Sequence, residues 1–390
     1  MDLELTWHRE RVGLTQEQAA AEVDVSRVLL AYYESGQRPV PLRVAVKLAR
    51  LYAVSLDRLV YGSSRAEPAA PVELLFRGES SLDRLRPALN KLQGWIQFLA
   101  DISEDVGVDP AVARVSLFQA KGSRFGQAEV ARRAREVREH FGLGGGPITD
   151  VLSVADEVAL VFRVPLGRIE DENPSGFFFN DNRAGLCIVV NTSTRPERQV
   201  FSVAHELAHA LFHAADLRAH VSRPSERSGL ERFANDFAGE FLVPGDSLRR
   251  AVEQSGRRGQ IEDPATIIRL QRRFNVSFQA MLVRMRQERL ISQNIYEHLW
   301  ELSPGPLARS LGLSQPSIGD AVDGPFATFP PVMIDTLLLA IRDGKLSEHG
   351  AAQALDVDVE DLEVLLDPRD TFGDETAPDR DDYELALGLS

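Results

Sequence analysis

The sequence predicts a mostly helical α+β protein. It should consist of an N-terminal bundle of short helices, a helical linker, a domain with a small β-sheet and a helical C-terminal region. Three observations lead there. Apolar residues recur at helical spacing over most of the chain, often behind a Ser, Thr or Asp able to cap a helix. One stretch, SGFFFNDNRAGLCIVVN at 175–191, breaks that spacing and reads as a hairpin, two apolar runs around an Asn/Asp/Gly turn. AEPAAP at 66–71 is a Pro/Ala interruption of the kind found between domains.

The elements follow in order. Thr15, with Glu17 and Gln18 behind it, opens a helix that runs through the alanines to Val23. Asp24-Val25 turns the chain, Ser26 caps the next helix as far as Ser35-Gly36, Leu42 to Tyr52 forms another, and Val54-Ser55-Leu56 starts the last of this group. Residues 73 to 104 and 109 to 120 have helical spacing. Ala128 to Phe141 is a charged helix stopped by Gly142 and the GGGP run, and Ile148 to Glu157 is a further helix before a short strand at Leu160 to Val164. A helix containing VAHELAHALFH follows the hairpin. A loop then leads to a helix from about Leu230 to Leu242, closed by Pro244. Helices dominate from Pro264 to the acidic end.

Composition narrows the function. The chain has 390 residues, enough for two to four domains with cores of their own. No apolar run approaches a membrane span, and MDLELTWHRE is polar where a signal peptide would be basic and then apolar. A single cysteine, Cys187, excludes an internal disulfide framework, fits a reducing cytoplasm and leaves His and carboxylate as the ligands for any metal. The net charge of −14 argues against a protein that coats nucleic acid. Residues 367–390, with eight acidic and two basic groups, read as a solvated tail.

VAHELAHALFH at 203–213 carries the most chemistry. Residues four apart share a helix face, so His205 and His209 can bind one ion while Glu206 sits beside it, where a bound water needs a base. His213 is eight residues from His205, roughly 12 Å along a helix, too far to share that ion. Glu231, in ERFANDFAGEFLVP, is the better third ligand, with Asn235 on its face to orient a ligand imidazole. Glu240, half a turn round, should point elsewhere. The competing readings are a satisfied pair of core histidines and an ordinary helix charge at Glu231. His213 and His220 read as structural, with oxyanion donation the alternative for either.

On these residues the segment from about Ala128 to Arg289 resembles the ImmA/IrrE family of bacterial metallopeptidases. The matching pieces are the charged helix before GLGGGP, the hairpin, RQVFSVAHELAHALFH and ERFANDFAGEFLVP, the last with the family's E-x-x-A-N-x-F-A run. Phe241-Leu242-Val243-Pro244 departs from the usual two leucines and Met but keeps apolar volume. The resemblance implies a zincin fold with one Zn2+ on His205, His209 and Glu231, and Glu206 as general base. Strand Leu186 to Val190 is then a candidate edge for a substrate added as a strand, against the simpler reading of a hairpin that completes the sheet.

LTQEQAAAEVDVSRVLLAYYESGQRPVPLRVAVKLARLYAVSLDRL resembles the five-helix, helix-turn-helix domain of the XRE repressor family. The match lies in Thr15-Gln16, Ala20, Val25-Ser26, Glu34-Ser35-Gly36 and Val54-Ser55. It implies a recognition helix at Ser26 to Glu34, Gln16 on phosphate, and Arg27, Val28 and Tyr32 facing base edges, Arg27 being suited to guanine. DNA binding as a homodimer on a palindromic operator is expected; docking to another protein is the alternative. The segment lacks excess positive charge, with nine basic and eight acidic groups in residues 1–65. SEHGAAQALDVDVEDLEVL near the C-terminus has similar spacing but is acidic, and reads as a helical cap.

The expected organisation is 1–65 for DNA binding, 66–125 as linker and connecting helices, 126–290 as metallopeptidase, 291–367 as C-terminal helices and 368–390 as tail. The expected function is that of a cytoplasmic bacterial transcription regulator with zinc endopeptidase activity. Its substrate would be a protein, a repressor by family analogy, in a stress or mobile-element response. The alternative is an antitoxin-like DNA-binding regulator whose zincin domain senses or docks a partner without cutting.

Overall fold

The computed structural model of the chain describes residues 5–11, 14–52, 59, 85–110, 126–168, 173–214, 219–222, 228–256, 259–313 and 324–366. It is a mostly helical α+β protein with one small sheet.

The N-terminal domain comprises α1 (Leu5–Arg11), α2 (Gln16–Glu22), α3 (Arg27–Glu34) and α4 (Leu42–Leu51). The sequence predicts these elements because their ends are chemically marked. Thr15 Oγ1 accepts from the Gln18 amide at 3.2 Å while Gln18 Oε1 accepts from the Thr15 amide at 2.9 Å, a reciprocal cap. Asp24 takes a left-handed φ of 59° in the turn, and Ser26 Oγ accepts from the Leu29 amide at 3.2 Å. Ala20, Leu30, Leu48 and Tyr52 are buried in a core of this domain's own. Of the fifth helix expected from Val54, Leu59 is the one residue described, helical and buried in the same core.

The sheet has four strands, β1 (Leu160–Val164), β2 (Gly176–Asp181), β3 (Gly185–Asn191) and β4 (Ala219–Ser222), in the order β1-β3-β2-β4. The hairpin strands β2 and β3 pair antiparallel, Phe178 opposite Ile188, and β1 lies parallel to β3. Two expectations are corrected here. Leu186 to Val190 is not an edge: β3 pairs on both sides and is buried throughout, so β1 and β4 are the edges. Part of the loop read between His213 and Leu230 is also a strand, β4, whose four residues are too few to show an alternation.

Both sheet faces are apolar, as expected of strands read as continuous apolar runs. Val161, Phe178, Ile188 and Val190 face one core, and Leu160, Phe162, Phe177, Phe179 and Val189 face the other. The first core is closed by α6 (Gln127–His140), α7 (Val151–Asp156), α8 (Pro196–Phe212), α9 (Gly229–Leu242), α10 (Gly245–Gln254), α11 (Pro264–Phe274), α12 (Phe278–Gln287), α13 (Gln293–Trp300) and α14 (Pro304–Ser310). The second is closed by α5 (Arg86–Val106), a 3-10 turn (Pro325–Thr328), α15 (Pro331–Arg342), α16 (Glu348–Leu355) and α17 (Val359–Leu366).

A sheet with two apolar faces needs cover on both, and the helices that supply it extend on either side of the segment 126–290. The α8-side core runs on to Ala308, and the opposite core combines α5 from the expected linker with helices from the C-terminal region. The helix read at 73–104 begins, among the described residues, at Arg86. Of 109–120, Asp109 and Pro110 are non-helical and the rest lies outside. The helix read at Ile148–Glu157 is shorter at its start, because the Asp150 carboxylate caps it by accepting from the amides of Leu152 and Ser153. The acidic tail is outside the described residues.

Candidate metal centre

α8 lies against the sheet because Val203, Ala204, Leu207, Ala208 and Leu211 give it an apolar side. Its 3.6-residue period brings His205 and His209 together, their Nε2 atoms 3.2 Å apart. α9 supplies the third group. Ser228 Oγ accepts from the Glu231 amide at 3.2 Å, setting Glu231 in the first helical turn, where the helix dipole favours an anion. Glu231 Oε2 is 3.3 Å from His205 Nε2, and Oε1 is 3.2 Å from His209 Nε2. All three residues are buried, and they form a group able to hold a metal ion.

The spacing fits zinc. Bonds near 2.0–2.1 Å in a tetrahedron put neighbouring donors about 3.3–3.4 Å apart, close to all three separations here. The protonation balance suits the same use. Glu231 stays ionised: burial works to raise its pKa, but hydrogen bonds from His205, His209 and His220 hold it well below the usual carboxylate range. Burial, reinforced by neighbouring imidazoles, lowers His209 to about 3, leaving it neutral. His205 is raised; burial opposes its charge, but the hydrogen bond to Glu231, the charges of Glu206 and Glu231, and the bond to Asn235 outweigh it.

Glu206 follows His205 on α8 and is fully buried. Gly176 at the start of β2 faces it: a Cβ at that glycine would stand 3.2 Å from both Cγ and Oε1 of Glu206. Asn235, one turn beyond Glu231, has its Oδ1 3.1 Å from His205 Nδ1. Glu240 points away, pairing with Arg284.

The two remaining histidines do more than the structural reading gave them. His220 on β4 directs Nε2 to Glu231 Oε1 at 2.5 Å, and His213 Nδ1 is 2.9 Å from His209 Nδ1. Phe178, opposite His220 in the β2–β4 register, stacks on His209 at 5.6 Å with the rings 9° from parallel. The i+4 spacing of His213 from His209 was a usable signal. Nothing in the sequence ties His220 to Glu231, because that contact depends on β4.

Residues 163–286 match the IrrE N-terminal-like domain, a peptidase family, and residues 3–60 match a helix-turn-helix domain. The chain joins a helix-turn-helix domain to an IrrE-like peptidase domain. No curated protein matches it. Among the described residues no helix is long and apolar enough to cross a membrane.

In the helix-turn-helix domain, Arg27, Val28 and Tyr32 of α3 are exposed, Val28 at 60 % and Tyr32 at 43 %. Gln16 is engaged within the domain. Its Nε2 donates to Glu34 Oε2 at 2.8 Å, and Glu34 also pairs with Arg9.

Proposed function

We propose that the protein is a DNA-binding regulator that hydrolyses a peptide bond in a protein substrate, by family analogy a transcriptional repressor, in a stress or mobile-element response. The supporting observation is the triangle of two imidazole nitrogens and a carboxylate at 3.2–3.3 Å, with Glu206 adjacent on the same helix. His205, His209 and Glu231 would hold one Zn2+ per chain. Zinc in such a site supplies a water of pKa near 7 and polarises the scissile carbonyl.

Glu206 then acts as the base. It would take a proton as the water oxygen bonds to the carbonyl carbon and pass it to the amide nitrogen as the C–N bond breaks, giving a carboxylic acid and an amine, which then ionise by transfer of the acid's proton to the amine. Asn235 accepts from His205 Nδ1 and so leaves Nε2 for the ion. The helix-turn-helix domain binds an operator as a homodimer, with Gln16 at phosphate and Arg27, Val28 and Tyr32 at base edges.

Two measurements test this in the full chain. Elemental analysis should find about one zinc per chain, and His209→Ala should abolish it; a metal-free wild type after zinc is added back sinks the reading. Glu206→Gln should keep the zinc and lose proteolysis, read as protein N-termini that arise in cells with the wild type and are absent with the variant. The complete burial of Glu206 favours a second reading, an antitoxin-like regulator whose zincin domain senses or docks a partner. Identical termini in the two strains would support it.

A further inference from the structure

The two α8 imidazoles differ in what stands behind them. His205 Nδ1 faces the amide oxygen of Asn235, an acceptor that can only take a hydrogen bond. His209 Nδ1 faces a second imidazole nitrogen, His213 Nδ1, at 2.9 Å. Two ring nitrogens at that distance share one proton, so one donates and the other accepts. His213 is the C-cap residue of α8, only 4 % exposed, with its amide donating to the His209 carbonyl at 2.9 Å and its ring edge-on to Phe233 at 5.3 Å. Its ring is therefore fixed from two sides.

The direction of the Nδ1 bond follows from the other nitrogen of His209. Nε2 lies 3.2 Å from both His205 Nε2 and Glu231 Oε1, and must offer a lone pair there if it is to bind an ion. The His209 proton then sits on Nδ1, and His213 Nδ1 is the acceptor. We propose that His213 is a positioning residue that accepts a hydrogen bond from His209 Nδ1 and so holds His209 in the tautomer and ring orientation required of a metal ligand. The proposal rests on the metal reading above and gives a role to a histidine whose distance from His205 bars it from the ion itself.

The test uses the full-length protein with His213→Asn and His213→Leu. Asn carries an acceptor oxygen close to the position of Nδ1, whereas Leu fills space without one. Zinc affinity, measured by competition with a chromophoric chelator, should fall roughly 10- to 100-fold in the Leu variant and largely recover in the Asn variant. Nitrogen NMR of the zinc-loaded protein labelled at histidine should show the His209 Nδ1 proton held in a hydrogen bond and slow to exchange in the wild type and the Asn variant, and lost to rapid exchange in the Leu variant. Wild-type zinc affinity in the Leu variant, or equal losses in both variants, would overturn the proposal and leave the metal reading standing. A wild type that binds no zinc would overturn the metal reading instead.

Discussion

Gly176 and Glu206 face each other across the junction of sheet and helix with no room for a methyl group. A Cβ at Gly176 would stand 2.8 Å from the Val189 carbonyl oxygen as well as 3.2 Å from Glu206. The first of these contacts is with backbone in a fully paired strand and cannot relax cheaply. Gly176→Ala should therefore destabilise the protein by about 1–3 kcal/mol, seen as a lower thermal midpoint. An unchanged midpoint would mean that β2 and β3 can separate locally.

Arg138 serves as a buried polar anchor at the end of α6. Its guanidinium donates to the carbonyls of Gly144 at 2.7 Å, Leu143 at 3.5 Å, and also Gly146 and Phe241, tying the GLGGGP loop to the end of α9. Burial lowers its pKa to about 10, so it remains charged at neutral pH. An ammonium cannot reproduce this fan of donors. Arg138→Lys should lower stability by about 1–3 kcal/mol through carbonyls left unsatisfied, measured by denaturant midpoint. A midpoint equal to the wild type would show the loop to be held by its glycines and Pro147 alone.

Asp156 ends α7, and burial pushes its pKa up to about 7, against a hydrogen bond from the Val161 backbone and with some help from Asp150. The folded state thus holds this proton more tightly than the unfolded chain. The stability it contributes is complete below the unfolded value near 4 and is lost as pH rises toward 7. Asp156→Asn should raise the thermal midpoint at pH 8 and flatten its pH dependence between 4 and 7. A variant less stable than the wild type at pH 8 would mean that the carboxylate is needed in its charged form.

Arg27 is exposed on the first turn of α3. A guanidinium placed there to read a base should matter at one sequence and little elsewhere. Once an operator has been selected from random DNA, Arg27→Ala should weaken specific binding by about 1–3 kcal/mol while leaving non-specific binding and its salt slope nearly unchanged. Equal losses on both would place Arg27 on phosphate.

The legible parts of this molecule were those encoded within a few residues. The caps at Thr15 and Ser26, the turn between β2 and β3, and the two histidines one helical turn apart all declare themselves in short stretches of sequence. Glu231 needed a resemblance as well as a helix face, since 22 residues separate it from His209. The neighbours of a strand are not legible: GLCIVVN announces that both faces are covered but not which strands flank it, so nothing in the sequence separates an edge position for β3 from the central one it holds. β4 fell below the length at which a pattern shows, and with it went the contact of His220 to Glu231.

The two-sided sheet also bears on how the chain can be shortened. A fragment cut at 126 and 290 would retain His205, His209 and Glu231 yet leave Phe162, Phe177, Phe179 and Val189 open to water, because α5 and α15–α17 cover them. Such a piece should aggregate, whatever its catalytic competence. Within the stretch joining the two matched domains, α5 is accordingly a wall of the sheet, and insertions or deletions within α5 would be felt there, where a mere tether would absorb them.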